Sequence, residues 1–113
     1  MQTYIRKNHY GQWKAETEIP LEGKQVLCLH TSKNDRGALV TTASVHTVSD
    51  DGQSKVHAVF ADFNKRMKIE SLKRVTSGAV EAQHYAVLAT LAGIKVEVAE
   101  FYAAKAAKEA QGA

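Results

Sequence analysis

Little in this chain's composition advertises a function. A single cysteine, Cys28, leaves no partner for an internal disulfide, which fits a reducing compartment such as the cytoplasm. It lies in the apolar run Gln25–Thr31, where a lone thiol ordinarily serves as a small buried hydrophobe. A single proline, Pro20, and the absence of any Pro-, Gly- or Ser-rich stretch leave no linker, and therefore one domain over residues 1–113. No internal repeat or low-complexity segment is evident. No apolar run is long enough to span a bilayer, and Met1-Gln2-Thr3-Tyr4-Ile5-Arg6 lacks a signal-peptide core. Membrane association is not expected.

Missing motifs exclude more. There is no Gly-rich phosphate loop, no dinucleotide fingerprint and no G-x-S-x-G elbow around Ser77-Gly78. Cys28 has no flanking nucleophile signature. No catalytic residue, cofactor or metal is expected, and the chain reads as non-enzymatic. His46 and His57 are the nearest approach to a metal site, because a hairpin register places them opposite each other. Two imidazoles without a third ligand do not hold zinc, and neither His9 nor His30 supplies one. His84, on the apolar side of its helix, reads as a hydrogen-bonded, partly buried residue and not a catalytic base.

What is present is ordinary globular composition, 44% apolar and 24% charged, arranged with clear periodicity. Thr3–Lys7 reads as a strand, and Asn8-His9-Tyr10-Gly11 as a turn. Trp13, Ala15, Thr17 and Ile19 alternate with Lys14, Glu16 and Glu18, the pattern of a half-buried strand that Pro20 ends. Tyr4 or Ile5 would pack inward with Trp13. Gln25–Thr31 is short, apolar and central in character, as for a strand buried on both faces. Thr31 to Gly37 is a polar loop.

Leu39–Val48 and Lys55–Phe63 predict a long hairpin around Asp51-Gly52. Its register would pair Val48 with Lys55, His46 with His57, Ser44 with Val59 and Val40 with Phe63. Leu39, Ala43, Val45, Val56, Ala58 and Phe60 would share the other face. The next segment, Asn64–Val75, is either an irregular excursion or a short strand near Met67–Leu72. Thr76-Ser77-Gly78 signals a helix start. Val80, His84, Val87, Leu88 and Leu91 share one face of a helix over Ala79–Ala92, with Gly93 as its C′ residue. Ile94–Val98 fits either a strand or a helix, and the Ala-rich remainder is helical by propensity. The fold class is therefore α+β: an antiparallel sheet of four to six strands with two C-terminal helices packed on one face.

If Ile94–Val98 is a strand, the order from Gln25 is strand, strand, strand, helix, strand, helix. That order resembles the ribonuclease H-like fold over Gln25–Ala110. The resemblance implies carboxylates for magnesium on the first strand, the first helix and near the following strand. Glu81 matches the helix position, and Glu97 or Glu100 the later one. The first strand offers Leu29-His30-Thr31 where an acid is required, and magnesium needs several hard oxygen ligands, so the nuclease chemistry does not carry over.

Charge is the remaining signal. The net value of +3 is modest, but Asn64–Val75 sets Lys65, Arg66, Lys68, Lys73 and Arg74 against Glu70 alone. Arg6 and Lys7 extend the basic character near the start. Lys and Arg clusters attract phosphate by releasing counterions, and Tyr10 or Trp13 could stack on unpaired bases. The expected function is a small non-enzymatic nucleic-acid-binding accessory protein, preferring single strands. The alternative is a protein-interaction module, such as an inhibitor or adaptor from a mobile element, pairing through an open sheet face or edge. A homo-oligomer is compatible with either, and a plain solvated loop remains the ordinary account of such a charge run.

Overall fold

The structure is a computed structural model that describes residues 2–47, 63–72 and 74–112. Among the described residues five strands form one antiparallel meander: β1 (Gln2–Lys7), β2 (Trp13–Pro20), β3 (Gln25–Lys33), β4 (Ala38–Thr47) and β5 (Asn64–Ser71). Two helices follow, α1 (Ser77–Leu88) and α2 (Leu91–Gly112). The architecture is α+β, with the helices on one face of the sheet. Among the described residues no helix is long and apolar enough to cross a membrane.

Alternation decides which face is covered. Ala15, Thr17 and Ile19 of β2 are buried, whereas Glu18 between them is exposed. Their register partners Leu27, Leu29 and Thr31 on β3, then Ala43 and Val45 on β4, continue that face inward. On β1 it is Ile5 that turns toward the core, and Tyr4 stays exposed. β3 is central, as its apolar run requires, but only its helix-side residues are fully buried. Val26, Cys28 and His30 on the other side are half-buried.

The β4 partner differs from the expected hairpin. β4 pairs with the basic segment itself, Ser44 against Asn64 through Ala38 against Ser71. Lys55–Asp62 and the Asp51-Gly52 turn lie outside the described residues, as does His57. Phe63 is described, and its carbonyl accepts from the Val45 amide at 3.1 Å, so Val40 is not its partner. The shift from Val40 to Val45 is an odd number of residues, which transfers Phe63 to the opposite face. There it joins Ala43, Val45, Val87 and Val98 in the core. Burying an aromatic ring outweighs the local turn preference that favoured the other register.

The helical layer also departs from expectation at one boundary. Thr76 caps α1 as its sequence implies, its hydroxyl accepting from the Ala79 amide at 3.2 Å. α1 ends at Leu88, however, and the Thr90 hydroxyl closes the corner by donating to the Val87 carbonyl at 2.6 Å. Gly93 therefore lies inside α2, not at a C′ position, and Ile94–Val98 is helical. From Gln25 the order is strand, strand, strand, helix, helix, without the strand that the ribonuclease H-like order needs. Helix wins there because Ile94 and Val98, one turn apart, both reach the core.

Two apolar clusters build the interior. One gathers Leu27, Leu29, Val45, Phe63, Val87, Ile94 and Val98; the other joins Ala15, Leu39 and Val80, with Trp13 and Leu72 against it. A buried polar chain joins sheet and helix as well. Thr3 and Thr17 hydroxyls lie 2.7 Å apart, Thr17 Oγ1 is 2.7 Å from His84 Nε2, and His84 Nδ1 is 2.8 Å from Thr31 Oγ1. Thr31 and Thr41 hydroxyls are 2.7 Å apart, and Gln83 Nε2 donates to Thr41 Oγ1 at 3.0 Å. The same Gln83 nitrogen reaches the Leu39 carbonyl, while Gln83 Oε1 finds no donor among the described residues.

One direction satisfies this chain. The Gln83 amide donates to Thr41, Thr41 to Thr31, and Thr31 to His84 Nδ1. His84 Nε2–H then donates to Thr17, and Thr17 to Thr3. A neutral imidazole can accept at one nitrogen and donate at the other, but an imidazolium donates at both. Protonation would turn Nδ1–H against a hydroxyl already committed to donating. Burial accordingly holds the His84 pKa below its ordinary value, with the charge of His30 adding to the effect and Glu16 opposing it.

Two outcomes follow from this packing. Leu29→Ala, at a fully buried site, should lower stability by about 2–5 kcal/mol in urea unfolding. Val96→Ala, on the exposed side of α2, should change it by less than about 0.5 kcal/mol. For His84, the unfolded chain takes up a proton near pH 6.5 while the folded state resists it. Stability should be full above that pH and decline as the pH falls below it, down to the depressed folded value. His84→Gln should be less stable at pH 8 and show a shallower decline between pH 7 and 5 in thermal melts, with those working pH values set by the imidazole range. An unchanged decline would assign the pH dependence to other groups.

Candidate nucleic-acid interface

The β1–β2 and β3–β4 turns lie at the same end of the meander and are built alike. Both read Lys-Asn-x-x-Gly: Lys7-Asn8-His9-Tyr10-Gly11 and Lys33-Asn34-Asp35-Arg36-Gly37. Asn8 Oδ1 accepts from the amides of Tyr10 and Gln12, at 2.9 and 3.0 Å. Asn34 Oδ1 accepts from those of Arg36 and Ala38, at 3.0 and 2.9 Å. In each the asparagine carbonyl takes the glycine amide, and the glycine sits at φ 77° or 79°. Each is a three-residue hairpin loop whose last residue is left-handed, a position glycine fills without steric cost. The turns thereby present His9 and Tyr10, whose rings lie 4.0 Å apart, and Asp35 with Arg36. Neighbouring strands are about 4.8 Å apart, so the two tips are separated by on the order of 10 Å.

β5 reaches this same end at Ser71. Opposite Val40 it carries an extra residue, a β-bulge between the Leu39 and Thr41 pairings, and there Lys68 adopts φ 51°. The bulge leaves Ile69 61% exposed. Below the bulge, alternation separates Lys65 from Arg66. Lys65 falls on the helix side and forms an ion pair with Glu97 of α2. Arg66 falls on the open face, exposed, opposite Thr42.

All but one of the basic residues singled out in the sequence fall within the described residues. Arg66 and Lys68 lie on or near the open face of β5, and Arg74 is exposed in the connection to α1. Lys73 lies outside the described residues. Arg6 is on the open face at the far edge, 3.4 Å from Glu16 and stacked over Tyr4. Lys7 projects to the helix side, its ammonium over the Trp13 ring. Contiguity in sequence thus does not put these residues on one surface. Lys33 and Arg36 join Arg66, Lys68 and Arg74 as cations without an ion-pair partner among the described residues. The recurrent Lys-Asn-x-x-Gly pentapeptide was the signal for the first two.

The open face carries further charge, mostly neutralised. Glu16 receives Lys14 at 2.9 Å, Arg6 at 3.4 Å and His30 at 3.7 Å. Burial alone would push its carboxyl up, but the bond and charge of Lys14, then His30 and Arg6, outweigh it and hold the pKa down. His30 is held below its ordinary value chiefly by burial, against the pull of Glu16. Burial raises the Cys28 thiol, and Glu16 adds to that, so it is a poor nucleophile at neutral pH. His46 is buried on this face with Ser44 Oγ 2.8 Å from its Nε2. Among the described residues no three His, Cys, Asp or Glu side chains gather as metal ligands.

Where the β3–β4 turn meets β5, a concavity of about 480 Å³ opens, lined by Asn34, Asp35, Arg36, Ala38, Arg66, Ile69 and Ser71. No family model matches the chain, and no curated protein or solved structure does either.

The turn chemistry has a measurable weight. Gly37→Ala places a Cβ on a left-handed residue and should cost about 1–2 kcal/mol. Asn34→Ala strands two backbone amides and should cost at least about 1 kcal/mol. Urea midpoints of the two variants, compared with Gly112→Ala in the exposed last turn of α2, check both values.

Proposed function

We propose that this chain is a small, non-enzymatic accessory protein that binds nucleic acid, preferring single strands, at the end of the sheet where β5 meets the paired turns. The observation that carries this reading is where the uncommitted cations converge. Lys65 is spent on Glu97 and Arg6 on Glu16, whereas Arg36 and Arg66 line one concavity in which Asp35 is the acid among the lining residues, and Lys68 lies two residues beyond Arg66 on β5. A local excess of unpaired guanidinium and ammonium groups is what phosphate recognition requires. Tyr10, 78% exposed at a turn tip, and Tyr4 on the open face give bases a surface to stack on. A cytoplasmic setting suits the lone thiol of Cys28.

The rival reading, a protein-interaction module, draws on the outer edge of β1. That strand has no bulge, and its unpaired backbone groups could accept a partner strand.

Fluorescence anisotropy with labelled single- and double-stranded oligonucleotides across a salt series tests the proposal. Arg66→Ala should weaken binding to unrelated sequences alike and lower the single-strand salt slope by about 0.7. Lys65→Ala, its neighbour in sequence but tied to α2, should leave the slope unchanged, as should Lys108→Ala near the end of α2. Equal effects of Lys65→Ala and Arg66→Ala would show that the surface is misassigned. Absence of binding at low salt would end the nucleic-acid reading and favour the interaction module.

A further inference from the structure

The concavity between the β3–β4 turn and β5 is furnished for more than a backbone phosphate. Arg36 and Arg66 line it from two separate elements, so a phosphate between them would meet two planar donor forks. Ile69, pushed outward by the bulge, places an exposed apolar side chain on the same wall. Asn34 spends its side-chain oxygen on two backbone amides, which leaves its amide nitrogen as a donor at the rim. Asp35 adds an acceptor-only carboxylate. That group would oppose a bare inorganic anion, but it suits the N–H groups on the Watson–Crick edge of a base. In a duplex those edges are already paired; only an unpaired base presents them. The volume, about 480 Å³, falls within the range of small-ligand sites.

We propose that this concavity seats one unpaired nucleotide of a bound strand, its phosphate against Arg36 and Arg66 and its base against Ile69 and Asp35. This rests on the nucleic-acid reading above and gives its single-strand preference a physical origin: the base must be free of its complement to enter. The phosphate and base parts separate experimentally. Phosphate contacts appear in the salt slope. Apolar contact with the base does not.

The probes are a labelled oligothymidylate, an abasic strand of equal length with the same phosphate count, and a duplex, each titrated by anisotropy across a salt series. The protein should hold the oligothymidylate tighter than the abasic strand by about fourfold or more, the effect of burying roughly one methylene group. Ile69→Ala should narrow that gap without altering the salt slope. Arg36→Ala and Arg66→Ala should lower the slope for both strands and leave the gap in place. Ile69 is largely exposed on an edge strand, so its variant should keep the parent's thermal melt, which is recorded alongside. If the strands bind equally, or the gap survives Ile69→Ala, the nucleotide subsite is overturned while phosphate binding stands. If no probe binds at low salt, the functional reading fails and the subsite with it.

Discussion

The sheet and helices are joined by a hydrogen-bonded run of side chains on which the fold's polar interior depends. Threonines on four consecutive strands would leave buried hydroxyls on the covered face if α1 did not bring His84 and Gln83 to them. An unsatisfied buried hydroxyl costs about 1–3 kcal/mol, so a helix docked one turn out of place would forfeit several such terms at once. Apolar packing by Val80 and Val87 supplies most of the attraction. It is nondirectional and tolerates sliding. The threonine–histidine run does not, because Thr41, Thr31, His84 and Thr17 must each both give and receive. Apolar contact therefore brings α1 to the sheet, and the polar run fixes its position along it.

Much of this architecture was legible in the sequence. The alternation of Trp13–Ile19, the cap at Thr76 and the Val80–Val87 face each have one physical solution, and the structure adopts it. Two features were not legible, for different reasons. The register of β4 was inferred from turn chemistry at Asp51-Gly52, a local signal. The core demand for Phe63 beside Val45 is nonlocal and prevails. Ile94–Val98 has apolar residues at positions that satisfy periods of both two and nearly four. Only its neighbours, Phe63 and Val87, select the helix. Gln83 was missed because a glutamine on a helix ordinarily faces water, and its burial makes sense only opposite Thr41.

The candidate site was less legible than the fold. Charge density along a chain does not equal charge density on a surface, because a strand sends successive residues to opposite sides. Lys65 and Arg66 are adjacent in sequence, yet one is neutralised by a helix and the other is left to solvent. Conversely, Arg36 and Arg66 are thirty residues apart and line the same hollow. The recurring pentapeptide shows that such information was partly present, in turns and not in charge runs. A turn of fixed geometry fixes where its tip residues go.

The meander also bears on the order in which the molecule assembles. The β1–β2, β2–β3 and β3–β4 pairings join segments adjacent in the chain, so those contacts close short loops and can form early. The His84 bonds, by contrast, bridge 67 residues to Thr17 and 53 to Thr31. Until α1 arrives, the threonine hydroxyls on the inner face can remain hydrated at little cost, so the sheet need not wait for the helix. Water must leave that polar row as the helix docks. The final dehydration, and not the pairing of strands, is then the step at which a nearly folded chain commits to its native arrangement.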